Sequence, residues 1–235
     1  MSRPRPGLAG PHPTGQSLAA AAAEHHARTG RSGGNGSLMR TAPVALADLH
    51  DAEGLTEAAR EVSALTHADP QAGEACVLWC LAIRHGVLHG TFDGLRLALD
   101  AQPAGRAGVW AARLDEAEAN PPELFDRNGW VVQALQGAWS AIARTPVPPL
   151  DPASGSSPGQ HFQHALAATV RGGRDTDTVA AIAGGLLGAV WGAAAVPPTW
   201  KRVVHGWPGL RAEDLARLGL RVANGGHGAV RLRAP

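Results

Sequence analysis

Gly172-Gly173-Arg174-Asp175-Thr176-Asp177-Thr178, running without a break into Val179-Ala180-Ala181-Ile182-Ala183-Gly184-Gly185-Leu186-Leu187-Gly188, decides both the fold and where to look for a site. A glycine pair ends what precedes it and lets the backbone turn tightly. Asp and Thr then stand where helix N-caps are wanted, and the apolar run behind them reads as a helix over 179–191. At its mouth Asp175, Asp177 and Thr178 can turn oxygen atoms toward one point, the donor set a hard cation such as Mg²⁺ takes. The same residues also fit a plain Asp cap that holds no metal. The span 179–196 carries no charge, yet its Ala and Gly gain little from lipid and Asp175 and Asp177 abut it. It therefore predicts a buried helix near the centre of a bundle rather than a membrane span. Ala183, Gly184, Gly188 and Gly192 recur about one turn apart and predict close approach of a neighbouring helix.

Outward from this helix the pattern stays helical. Helices are expected over 17–27 (capped by Ser17), 38–49 with an interruption at Pro43, 54–65, 69–87, 91–99, 105–119, 131–143, 160–170 and, after an irregular stretch, 212–219. Within 69–87, Ala72, Ala75, Cys76, Trp79, Ile83 and Val87 form one apolar stripe; within 131–143, Val132, Leu135, Ala138, Trp139 and Ile142 form another. Ala and Gly are abundant, tyrosine is absent and no strand pattern stands out, which argues against a β-rich fold. The expectation is all-α, a compact multi-helix bundle. Its domain would span 17–225, after a disordered Pro-, Gly- and Arg-rich segment 1–16 and before a tail over 226–235.

Composition narrows the function. At 235 residues the chain is long enough for one domain that buries about 70% of its unfolded surface. The net charge is +1 with acids and bases mixed, and no basic stripe with interleaved aromatics points to nucleic acid. The alanine run 19–23 is too short, and too quickly followed by Glu24, for a secretory signal. Cys76 and Cys80 sit four apart on a helix, where a disulfide would stabilise little and the spacing suits no zinc knuckle; they are expected as small buried hydrophobes. A cytoplasmic protein with no membrane partner is expected.

A second motif lies upstream: Gly34-Asn35-Gly36-Ser37-Leu38-Met39-Arg40. A glycine-flanked Asn-Gly-Ser loop can present backbone N–H groups and an amide to phosphate or ribose oxygens, though alone it is as compatible with an ordinary turn. It lacks the closing Gly-Lys-Ser/Thr of a phosphate loop and the glycine spacing of a dinucleotide fingerprint. With Leu65-Thr66-His67, Asn128-Gly129-Trp130-Val131-Val132, the Asp175 block and Pro197-Pro198-Thr199-Trp200, it occurs in the order seen in ADP-ribosylglycohydrolases. The chain resembles that family over roughly Ser17 to Gly225.

The resemblance implies Mg²⁺-dependent hydrolysis of the glycosidic bond between ADP-ribose and a protein side chain or small acceptor. It implies Asp175 and Asp177 as catalytic residues and Asp175, Asp177 and Thr178 as metal ligands, with Asp177 bridging two metals. Asn35, Gly36 and Ser37 would hold phosphate and ribose, His67 would lie near substrate, and Trp130 would stack on adenine. His67 also reads as the residue before a helix, and Trp130 as a core tryptophan. Arg40 could clamp phosphate or pair with a carboxylate of the Asp motif. The family also carries an N-terminal stretch with a glutamate near the scissile bond and a Thr-Asp-Asp motif that supplies the other half of a two-metal site. No Thr-Asp-Asp occurs here. The expectation is therefore an N-terminally truncated member with at most a partial Mg²⁺ site. The alternative is a non-catalytic ADP-ribose-binding remnant, or a fragment that needs a partner chain or the missing N-terminal segment.

Overall fold

The structure, a computed structural model, describes residues 13–225. Eleven α-helices are described: α1 (Gly15–Thr29), α2 (Ala42–Ala47), α3 (Ala52–Ala64), α4 (Pro70–His89), α5 (Gly94–Leu97), α6 (Ala107–Ala119), α7 (Val131–Arg144), α8 (His161–Arg171), α9 (Thr176–Trp191), α10 (Pro198–Val203) and α11 (Ala212–Ala223). Short 3₁₀ turns link several of them. Between α10 and α11, His205–Gly206 and Leu210–Arg211 pair as a small antiparallel hairpin, so the chain is all-α as its sequence predicts, with this one pair of strands unforeseen.

The helix ends obey local chemistry. Pro70 opens α4 behind Asp69, whose carboxylate accepts the Gln71 N–H at 2.9 Å. Asp51 caps α3 in the same way through the Gly54 N–H. At α1 the cap is Thr14, which accepts the Ser17 N–H at 3.2 Å; the helix thus starts two residues before the predicted Ser17 and takes in part of the segment expected to be disordered. The rest of that segment, 1–12, and the expected tail 226–235 lie outside the described residues.

Two helices form the centre. α4 is buried along most of its length, Val77, Leu78 and Ala82 as fully as the predicted stripe, and Val87 alone of that stripe is exposed. α7 buries its entire predicted face, Val132 through Ile142. α9 packs against α4, α7 and α8, and the Trp79 indole N–H reaches the Ile182 carbonyl at 3.0 Å. Its far side, however, from Gly188 to Gly192, remains half-exposed, so it flanks the most enclosed helices. Close helix approach follows the prediction only in part: Ala183 is fully buried and a Cβ at Gly184 would lie 3.7 Å from Leu166 of α8. A Cβ at Gly188 would meet nothing within 4 Å, whereas one at Gly86 would lie 2.9 Å from Val190 and one at Gly185 3.3 Å from Ala42. Cys76 and Cys80 are free and buried, as expected of small apolar residues; burial pushes the Cys80 thiol up to about 12. No helix among the described residues is long and apolar enough to cross a membrane.

Candidate functional site

Residues 33–36 form a side-chain-poor ledge. Gly34 pairs with Trp130 in an isolated antiparallel bridge: the Asn35 N–H donates to the Gly129 carbonyl at 3.1 Å and the Val131 N–H to the Gly33 carbonyl at 2.9 Å. Space around these glycines is tight. A Cβ on Gly33 would stand 2.9 Å from the Asp69 carboxylate, and Cβ atoms on Gly34 and Gly36 would stand 3.3 and 3.2 Å from the His67 ring. Asp69, His67 and Trp130 therefore all reach the loop. The backbone N–H groups of Gly34 and Gly36 take part in no backbone hydrogen bond among the described residues, so the ledge has donors to offer. A cavity of about 370 Å³ opens beside it, lined by Gly30, Arg31, Gly33, Gly34, Asp69, Gly129 and Trp130.

The Asp175 block meets this ledge directly. Asn35 Nδ2 donates to Asp175 Oδ2 at 2.7 Å and to the Asn128 carbonyl at 2.7 Å. Asn128 completes the joint. Its amide Nδ2 donates to the Gly173 carbonyl at 3.0 Å, and its Oδ1 accepts the Asp175 N–H at 3.1 Å. To reach this arrangement the chain turns through two left-handed residues, Gly173 (φ 79°) and Arg174 (φ 64°). The first suits glycine; the second is uncommon for a side-chain-bearing residue and costs backbone strain. Asp175 stands at the N-cap position of α9 but makes no capping bond with its side chain; its carboxylate is given to Asn35. That hydrogen bond, with smaller help from Thr178, holds the Asp175 carboxyl below the usual carboxylate range against the opposing pull of burial. Asp177 is exposed on the first turn, and Thr178 is buried.

The remaining predicted residues divide. His67 sits against Gly34 and Gly36, its Nδ1 2.7 Å from Thr66 Oγ1, which also accepts a hydrogen bond from Arg40. Burial, and then the Arg40 charge, lower the His67 pKa, which keeps the ring neutral. Arg40 forms no ion pair with the Asp motif; Thr66 holds it instead. Ser37 is turned inward with no exposed surface, its hydroxyl 3.6 Å from Cys76 Sγ, so its side chain does not face the cavity. Trp130 is 37% exposed and lines it, which excludes the core-tryptophan reading. Arg31 and Asp69 also line the cavity and Asn128 adjoins Asn35 and Asp175, none of them singled out by the sequence. Asn128 lies in a quoted motif, but only its buried amide, bonded to Gly173 and Asp175, shows how it joins the two segments.

Hard donors fit part of a cation site. Asp175 is held ionised, Asp177 is open to solvent, and Thr178 follows on the same turn, all offering oxygen as Mg²⁺ requires. Among the described residues, however, no three His, Cys, Asp or Glu side chains gather around one point. Asp175, Asp177 and Thr178 would supply at most half of the six oxygens that Mg²⁺ takes. A second and more apolar cavity, about 770 Å³ between α10 and α11, is lined by Val196, Lys201, Arg211 and Leu215 among others; none of these groups adjoins it.

Comparison with known proteins bears on the family and the fold. The chain is 25% identical over 203 residues to the ADP-ribosylhydrolase ARH3 of Homo sapiens, covering 74% of this chain and 54% of the relative. It is 27% identical over 167 residues to the ADP-ribosylarginine hydrolase Tri1 of Pseudomonas putida (strain GB-1), covering 71% of this chain and 41% of the relative. It thus spans about half the length of the curated relatives it matches. Among solved structures, a chain of an ADP-ribosylglycohydrolase-related protein complex superposes with a TM-score of 0.65 at 25% identity, over 89% of this chain and 69% of that one. The sequence profile of the ADP-ribosylglycohydrolase family matches residues 3–228, and the chain belongs to that family.

Proposed function

We propose that this chain builds the nucleotide-holding and cation-holding side of an ADP-ribosyl hydrolase site, acting on an ADP-ribosylated protein or a small ADP-ribose conjugate. The observation that carries this reading is the 2.7 Å bond between Asn35 and Asp175, which joins a loop with free amide donors to a carboxylate kept ionised. The amides of Gly34 and Gly36 receive the diphosphate, and Trp130 offers an adenine its exposed face. Asn35 orients Asp175 toward the ribose, and His67, neutral, borders the sugar without adding charge. Asp175, Asp177 and Thr178 would hold Mg²⁺, which when bound grips ribose hydroxyls and lowers the pKa of a water. In the reaction a bond forms between the water oxygen and the ribose anomeric carbon as the bond to the acceptor breaks, and the acceptor leaves with a proton. Two free buried thiols suit a reducing, cytoplasmic setting.

A second reading, binding of ADP-ribose without turnover, is favoured by one observation: fewer than three carboxylates, imidazoles or thiols converge among the described residues. One experiment separates the two. The chain is assayed with Mg²⁺ on ADP-ribosylated Arg and Ser peptides, and titrated with ADP-ribose, beside Asp177→Ala. Turnover abolished by the substitution supports the hydrolase. ADP-ribose binding with slow or no turnover supports the binder. Neither turnover nor binding contradicts both.

A further inference from the structure

Behind Trp130 lies a set of side chains that the proposed chemistry does not use. Trp130 makes no side-chain hydrogen bond among those described, so its indole plane is set by packing alone. The Arg113 guanidinium, on α6, stands 5.8 Å from the Trp130 ring centroid and 4.6 Å from that of Trp110. The guanidinium is itself fixed. Its Nη2 donates to Gln71 Oε1 at 2.7 Å, and Gln71 lies in the first turn of α4, two residues from the cavity-lining Asp69. Trp110 is fully buried and donates its indole N–H to Glu74 Oε2 at 2.7 Å, and Glu74 accepts both arms of Arg106 at 2.8 Å. The Arg113 carbonyl accepts from Gln136 at 3.0 Å, tying α6 to α7, the helix that Trp130 precedes. Arg113 Nη1 is buried without a partner. A hydrogen-bonding role therefore explains only one edge of this guanidinium; the rest of it stands over the Trp110 and Trp130 rings.

We propose that Arg113 is a positioning residue that holds the Trp130 indole in the plane needed to stack on the purine base of an ADP-ribose-type ligand. It touches Trp130 and not the ligand. The role follows from geometry: a planar cation attracts an aromatic face, and a guanidinium anchored at Gln71 and Trp110 fixes where that face can lie. Lysine keeps the charge and the stem but loses the plate, so it should not replace arginine here. The inference rests on the functional reading above, and its test keeps the two apart.

ADP-ribose and ribose 5-phosphate, which lacks the base, are titrated against wild type, R113M, R113K, W130A and the double variant R113M/W130A, with thermal melting of each. W130A should weaken ADP-ribose by about tenfold. R113M and R113K should weaken it by about fivefold and leave ribose 5-phosphate unchanged, and R113M should add nothing once Trp130 is gone. If R113M fails to melt cooperatively, R113K carries the same comparison. Equal losses for both ligands would mean a structural role only and would overturn the proposal, as would unchanged ADP-ribose affinity or losses that add in the double variant. If wild type bound no ADP-ribose, the functional reading would fall and this role with it. A wild type and W130A that differ tenfold, with R113M like wild type, would remove the Arg113 role alone.

Discussion

Asn128 is the residue whose loss the site should feel most without touching a ligand. It is 4% exposed, and its amide bridges Gly173 and Asp175 while its carbonyl receives Asn35. Asn128→Ala removes both side-chain bonds and leaves the half-buried Asp175 N–H and Gly173 carbonyl without these partners. Each net bond contributes about 1 kcal/mol, so chemical denaturation should show a loss of about 1–3 kcal/mol, and ADP-ribose affinity should fall because Asp175 is no longer held. A stability and affinity like wild type would show that the joint is not held here. At this scale the sequence was legible where residue type restricts chemistry. Asp175, Asp177 and Thr178 announce hard oxygen donors at a helix start, and the glycines of 33–36 announce a bare backbone. It was not legible where a role depends on a partner distant in sequence. Nothing near Ser37 says that its hydroxyl turns to Cys76, and nothing near Asn128 names Asn35, 93 positions away.

Helix positions were readable from apolar spacing and capping, since α7 buries the face its pattern sets out and α4 does so except at Val87. Contacts between helices were not, because a small residue permits close approach but does not say that a neighbour uses it. Gly188 and Gly94 make the contrast measurable. Gly188 lies within α9 with nothing near its absent Cβ, so Gly188→Ala should stabilise the protein by about 0.5–1 kcal/mol through helix propensity alone. Gly94 opens α5, where a Cβ would stand 2.4 Å from His85 Cβ and 3.1 Å from the Ala82 backbone. Gly94→Ala should cost about 1–3 kcal/mol by overpacking. Thermal melts of the two variants should move in opposite directions; a shared direction would contradict the packing described for α5 on α4. The short hairpin between α10 and α11 escaped the sequence pattern because two-residue strands have no room for alternation.

The molecule as a whole should lose stability as the solution is acidified, in two stages. His161 is 1% exposed. Trp191 Nε1–H donates to its Nδ1 at 3.0 Å, and its Nε2–H donates to the Ile142 carbonyl at 3.1 Å, so the ring is neutral with its proton on Nε2. Burial lowers its pKa from 6.5, with the His164 charge helping and the Ile142 and Thr145 carbonyls opposing; His67 is lowered too, by burial and Arg40. Groups with depressed folded pKa values contribute stability that is complete above the unfolded value and is lost as pH falls through the folded one. The melting temperature should therefore hold above pH 6.5 and decline below it. A second loss should begin as pH falls below 4.5 and run on until folded Glu74 takes its proton: burial raises its pKa, but hydrogen bonds from Arg106 and Trp110 outweigh that and hold it low. His161→Gln should flatten the first stage; an unchanged slope would show that His161 does not titrate as its burial requires.

The account turns on one claim, that the loop around Asn35 and the block around Asp175 form a single ligand site, and a double-substitution cycle on ADP-ribose affinity in Mg²⁺ tests it most directly. Residues in contact couple, and residues in separate sites add. Asn35→Ala and Asp175→Ala should each weaken ADP-ribose by tenfold or more, and the pair together should do little worse than the stronger single substitution. Fully additive losses, or a wild-type chain that binds no ADP-ribose, would contradict it.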